Sequence, residues 1–242
     1  MSGHSKWATT HRAKEAKDAK RGAAFTKLAA AITVAVRQGG GGGDPDSNFR
    51  LRLAMEKARS FNMPKENITR AIEKGMGGAE GQSLEDVMFE GFLPGGVAVM
   101  AEALTDNRMR TSQAIRIILD KGGGTLAGSG AVGYLFTNLG EIVVDLGGKP
   151  EEAAELFLID LEVTDIETTG EGKLIVYCEK DKTYEMKGKI EEAGYGVELA
   201  DLVMRPNSTV EIKEEEMRGR IERLLEQIEE VEEVTHVWTN YA

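Results

Sequence analysis

Residues 141–205 read EIVVDLGGKPEEAAELFLIDLEVTDIETTGEGKLIVYCEKDKTYEMKGKIEEAGYGVELADLVMR. Short apolar runs, Ile142 to Leu146, Val163 to Thr169, Lys173 to Glu179 and Val197 to Val203, have the length and β-branched content of strands. Between the first two and the last two lie Pro150 to Leu161 and Lys182 to Ala193, whose apolar residues recur at helical spacing. The order is strand, helix, strand, strand, helix, strand, the split βαβ or ferredoxin-like pattern. Cys178, in the run Leu174 to Cys178, is expected to be a small buried side chain.

Working outward, Val87 to Phe92 and Val97 to Leu104 predict two strands turning at Pro94-Gly95-Gly96. Thr105-Asp106 offer caps for a helix from Asn107 to Lys121, and Gly122 to Gly133 reads as a glycine-rich loop. Far downstream, Lys213 to Glu230 forms a long acidic helix with the seam Met217, Ile221, Leu224, Leu225, Ile228 and Val231. A short strand, Thr235 to Asn240, follows it. This terminal pair has no neighbour of its own, so it is expected to return to the sheet begun at Val87. The ferredoxin-like unit is then an insertion.

The first 75 residues are helical in pattern. Ala8 to Arg21 places Lys14, Lys17 and Arg21 on one stripe, and Ala23 to Gln38 repeats Phe25, Leu28, Ile32 and Val36. After the glycine loop Gly39 to Gly43, Asp46, Ser47 and Asn48 are candidate caps. The next helix buries Leu51, Ala54, Met55, Ala58 and Phe61, and shows Arg50 with Lys57 on one side and Arg52 with Arg59 on the other. Pro64 opens a last short helix that stops at Gly75. The expected architecture is multidomain α and α+β: a helical domain over 1–78, an α/β domain over 79–135 plus 206–242, and a ferredoxin-like α/β domain over 136–205 inserted into it.

Charge divides the chain in the same way. Up to Lys74 there are 15 basic and 7 acidic residues, leaving 15 basic and 34 acidic in the remainder. The overall net charge of −11 conceals a basic terminal segment of the kind that grips a polyanion. The residues expected to contact nucleic acid are Lys6, Trp7, Arg12, Lys14, Lys17, Lys20, Arg21, Lys27, Arg50, Arg52, Lys57 and Arg59. Trp7, Phe25 and Phe49 are candidates for stacking on bases, with core packing the alternative for each. A second contact is expected at Asn107, Arg108 and Arg110, where helix-start amides and two arginines offer a phosphate site.

Other chemistries find little support. His4, His11 and His236 lack metal-ligand spacing, and Gly39 to Gly43 is not followed by the Lys-Ser or Lys-Thr of a phosphate loop. Gly128-Ser129-Gly130-Ala131-Val132-Gly133 matches G-x-G-x-x-G. It leads into an extended segment and not a helix, so a turn is the expected use of its glycines. Glu214 to Glu216 read as a solvated helix start, with Glu216 and Arg220 an i, i+4 pair. No cofactor, metal, small-molecule substrate or membrane span is expected. One cysteine and no apolar leader suggest a cytoplasmic protein, and a monomer is the default.

Ordered blocks along the chain resemble the YebC family. They include Gly3-His4-Ser5-Lys6-Trp7-Ala8, Asp18-Ala19-Lys20-Arg21-Gly22, Phe25-Thr26-Lys27-Leu28, Arg50-Leu51-Arg52-Leu53-Ala54 and Asn62-Met63-Pro64-Lys65-Glu66-Asn67-Ile68. Phe89-Glu90-Gly91, Pro94-Gly95-Gly96-Val97-Ala98 and Leu104-Thr105-Asp106-Asn107-Arg108 continue the series. The resemblance implies three domains, a helical one and two α/β ones, and no enzyme activity. It implies a transcriptional regulator that binds DNA. The alternative is a translation factor on ribosomal RNA, because mitochondrial relatives are translational activators. Thr9 to Ala13 and Gly122-Gly123-Gly124 depart from the family's usual Ile-Lys-His-Arg and His-Gly-Gly patterns.

Overall fold

The computed structural model describes residues 21–77 and 85–242, with side chains from residue 25 onward in the first segment. The expected helix from Ala8, with its Lys14–Lys17–Arg21 stripe, lies outside these residues apart from Arg21. Two compact units emerge: the described parts of 3–136 with 206–242, and 137–205.

Three helices open the first unit: α1 (Arg21–Gln38), α2 (Phe49–Ser60) and α3 (Lys65–Gly75). The apolar stripe of α1 does what its spacing predicts. Leu28, Ile32, Ala35 and Val36 meet Leu51, Ala58, Ile68 and Ala71 in one cluster, with Phe25 packed at its margin. Ile32, Val36 and Leu51 are fully buried, and each such side chain contributes roughly 1.5–3 kcal/mol. The α1–α3 approach requires glycine at position 75, since a Cβ there would stand 2.6 Å from that of Val36. Of the three candidate caps, Asn48 does the work. Its Oδ1 accepts from the Leu51 amide at 3.1 Å, and its Nδ2 donates to the Ala35 carbonyl at 2.8 Å.

The helical domain is followed by β1 (Glu85–Leu93) and β2 (Val97–Thr105), antiparallel, with Leu93 opposite Val97 across the Pro94–Gly96 turn. Gly95 and Gly96 adopt φ of 79° and 78°, values that need glycine. Next come α4 (Arg108–Gly122) and a two-residue strand, β3 (Thr125–Leu126). The glycine-rich stretch from Gly122 is therefore partly sheet. A strand this short has no alternation to read. It depends on glycines at close approach: a Cβ on Gly91 would lie 2.7 Å from the Thr125 carbonyl oxygen.

The ferredoxin-like unit follows, from β4 (Phe136–Asp145) to β7 (Gly196–Pro206). Between them lie α5 (Glu151–Asp160), β5 (Asp165–Thr168), β6 (Lys173–Glu179) and α6 (Thr183–Glu192). Its sheet order is β5-β6-β4-β7. Strand β4 begins earlier than Ile142, since Leu139, Gly140 and Glu141 already pair with β6; Gly140, a poor strand former, packs under Thr183, where a Cβ would meet Oγ1 at 1.9 Å. Cys178 is 1% exposed, and burial pushes its thiol pKa up.

The chain closes with α7 (Glu215–Glu229) and β8 (Val234–Thr239). As expected, β8 returns to the first sheet and pairs antiparallel with β2, giving the order β3-β1-β2-β8. Helices α4 and α7 share the core of that sheet through Ile115, Leu119, Ile221, Leu225 and Ile228.

Candidate nucleic-acid interface

The basic residues do not form one uniform surface. Lys6, Trp7, Arg12, Lys14, Lys17 and Lys20 lie outside the described residues, as does the side chain of Arg21. Lys27 is half-buried, and its Nζ donates to the Glu229 carbonyl at the end of α7. A cation at a helix C-terminus suits the helix dipole, so Lys27 ties α1 to α7. That partner is 202 residues away, beyond the reach of any local pattern.

On α2 the expected two exposed basic sides are only partly realised. Arg59 is exposed, whereas Arg50, Arg52 and Lys57 are half-buried. Arg50 lies over the Phe49 ring, 5.9 Å from its centroid, and donates to Gln38 Oε1. Phe49 thus sits half-buried beneath an arginine at the start of α2.

The second expected contact, at the start of α4, is organised differently from the sequence reading. Asn107, not Thr105 or Asp106, is the cap: its Oδ1 accepts from the Arg110 amide at 3.0 Å. Thr105 Oγ1 instead accepts from the Asn107 amide at 2.9 Å and lies 2.8 Å from Thr111 Oγ1. Asn107 fits the N-cap better because its side chain reaches the third helical amide. Arg110 Nη2 is 2.7 Å from Asp106 Oδ1 and 2.8 Å from Glu233 Oε1. Its hydrogen bonds to Glu233 and then Asp106 raise its pKa above the ordinary value. Two carboxylates occupy the guanidinium edge that a phosphate would use. Arg108 remains exposed and forms no ion pair among the described residues.

The glycine motif at 128–133 is an anion nest that the protein fills itself. Glu90, on β1 and 6% exposed, points its carboxylate into the loop. The amides of Gly130, Val132 and Gly133 donate to it at 2.6, 2.7 and 2.9 Å. Burial is the largest single influence and raises the carboxyl pKa, but the three amides together outweigh it and hold the pKa below its usual value. Successive amides converging on an anion are what a nest supplies, and here the anion is a side chain.

Sequence reasoning also missed a polar hub at Glu102. Its Oε2 is 3.0 Å from His236 Nδ1, and its Oε1 accepts from Gln38 Nε2 at 3.4 Å. The β2–β8 register, which sets Glu102 opposite His236, is the cause. His236 stacks in turn on Trp238, with ring centroids 5.4 Å apart.

Two family models match the chain, the TACO1/YebC protein N-terminal domain over residues 5–78 and the TACO1/YebC second and third domain over residues 84–241. A probable transcriptional regulatory protein of Persephonella marina is 44% identical over 241 residues, spanning 100% of this chain and 96% of that protein. One from Rubrobacter xylanophilus is 44% identical over 242 residues, at 100% and 95%. A conserved hypothetical protein of Aquifex aeolicus, solved by crystallography, superimposes with a TM-score of 0.83 at 43% identity, over 93% of this chain and 91% of that one.

Proposed function

The chain belongs to the TACO1/YebC family, and we propose that it is a non-enzymatic, DNA-binding regulator of transcription. The observation that carries this reading is the charge division, 15 basic against 7 acidic residues up to Lys74 and 15 against 34 beyond it. Relatives named as probable transcriptional regulatory proteins support it. Phosphate contacts release counterions and give affinity with little sequence reading, which suits a lysine- and arginine-rich segment with few acids.

In this reading residues 1–78 form the gripping domain. Lys6, Arg12, Lys14, Lys17, Lys20 and Arg21 neutralise phosphates, and Trp7 packs against a base or sugar. Arg59, exposed on α2, extends the surface, with half-buried Arg50, Arg52 and Lys57 at its margin. Lys27 has a structural share in this, since it holds α1 to α7.

The test is duplex DNA binding by the full chain and by Lys20→Glu with Arg21→Glu, measured across salt concentrations. The reading expects weaker binding and a shallower salt dependence in the variant. Binding indifferent to both salt and the substitutions removes it. Cosedimentation with ribosomes, lost with the same substitutions and unaccompanied by DNA binding, would favour the translation-factor alternative.

A further inference from the structure

Beyond residue 74 the chain is strongly acidic, yet α4 runs against that trend. It carries Arg108, Arg110, Arg116 and Lys121 against a single carboxylate, Asp120. Arg110 is occupied by Asp106 and Glu233. The other three cations are exposed, while Thr111, Ile115 and Leu119 face the core. Helix α7 packs alongside, because Gly122 leaves room for Leu224; a Cβ there would stand 2.1 Å from Leu224 Cδ2. One turn before Leu224, Arg220 brings its guanidinium to Gly123, with Nη2 3.0 Å from where a Cβ would lie. Exposed Arg223 follows on the same helix.

Arg108, Arg116, Lys121, Arg220 and Arg223 form no ion pair among the described residues. The i, i+4 pair expected between Glu216 and Arg220 is absent from them too; Arg218 pairs with Glu215 instead, at 3.4 Å. Met109, 83% exposed, and Ile117, 44% exposed, lie on the outward side of α4, with exposed Gln113 between them. A surface that leaves cations unpaired in so acidic a region, beside uncovered aliphatic side chains, is organised for an anionic partner.

We propose that this α4–α7 face is a second contact for duplex DNA, with α4 entering the major groove and the cations meeting the bordering phosphates. The inference rests on the DNA-binding reading above and extends it to a different domain. A helix with its side chains is about 10–12 Å across, and the B-form major groove is about 12 Å wide. Arg108 and Arg116, eight residues apart, are separated by about 12 Å along the axis. Gln113 is suited to an adenine edge, and Met109 and Ile117 to thymine methyl groups. The A-form groove of duplex RNA is too deep and narrow to admit such a helix. Single-stranded partners call for stacking rings, and the exposed apolar groups of α4 are aliphatic.

The test compares the full-length chain with Arg108→Ala/Arg116→Ala/Lys121→Ala in duplex DNA binding across salt concentrations. All three side chains are exposed, so the circular dichroism spectrum and unfolding midpoint are expected to match the parent's. The slope of log K against log salt is expected to become shallower by about 2 to 3, at about 0.9 per lost phosphate contact. A Lys213→Ala control should keep the parent slope. If the triple variant loses its fold, Arg116→Gln alone is read in the same titration, with an expected change of about 0.9. A parent-like slope in the folded variant overturns the inference and leaves the DNA-binding reading standing. Absence of duplex binding by the parent overturns both. Equal loss on duplex RNA overturns the assignment to the B-form groove.

Discussion

Arg110 Nη2 stands 2.8 Å from Glu233 Oε1, joining the first turn of α4 to the residue before β8. With Asp106 at 2.7 Å on the same nitrogen, the arginine that sequence spacing offers to a phosphate is already satisfied. Glu233→Gln releases half of that hold and removes one negative charge. The expected outcome is tighter duplex DNA binding at low salt, converging on the parent as salt screens the difference, with the unfolding midpoint unchanged. Fluorescence anisotropy at several salt concentrations checks it.

Glu90 makes the glycine loop a structural element. Glu90→Ala leaves the amides of Gly130, Val132 and Gly133 without their acceptor and is expected to cost roughly 3 kcal/mol in urea unfolding. The pH dependence has a definite sign. The folded-state pKa lies below the usual carboxyl value of 4.5, so the contribution of Glu90 is complete above pH 4.5 and is lost as pH falls through the folded pKa. The stability gap between parent and Glu90→Gln should therefore narrow on acidification below pH 4.5 and stay constant between about pH 6 and 8.

The α4–α7 contact predicts a compensating pair. Gly122→Ala presses a methyl group into Leu224 and is expected to destabilise by about 1–3 kcal/mol. Leu224→Ala opens a cavity, at about 2–5 kcal/mol. Together they should cost clearly less than the sum, since each makes room for the other's error. Additive losses in a double-mutant cycle would mean that the helices do not meet there.

Asn48 serves two helices, so its loss should exceed that of an ordinary cap. Asn48→Ala removes both the Leu51 cap and the bond to the Ala35 carbonyl, and about 2 kcal/mol is expected. Asn48→Asp keeps the cap acceptor but sets a carboxylate oxygen against the Ala35 carbonyl in a buried position, so it too is expected to destabilise the domain.

Much of this architecture is legible in the sequence because it is carried by periodicity. Leu28, Ile32 and Val36 repeat at helical spacing and form the α1 core, and the ferredoxin-like order follows from strand and helix lengths. The return of β8 to β2 follows from an unpartnered helix and strand at the end of the chain. What was not legible depends on partners far apart in sequence. Strand β3 exists through Gly91 and Gly124, and Lys27 finds its acceptor in the Glu229 carbonyl. The nest at 128–133 is filled by Glu90 from an earlier strand. The candidate site divides on the same lines: charge composition points to the basic domain, but which cations are free depends on acids such as Glu233 that no spacing rule brings near.

The most direct measurement is the salt dependence of duplex DNA binding by the full-length chain, beside Lys20→Glu with Arg21→Glu. The account predicts a linear fall of log K with log salt in the parent, and a markedly weaker, shallower line in the variant. Coincident lines, or no measurable affinity for duplex DNA at any salt concentration, would contradict it.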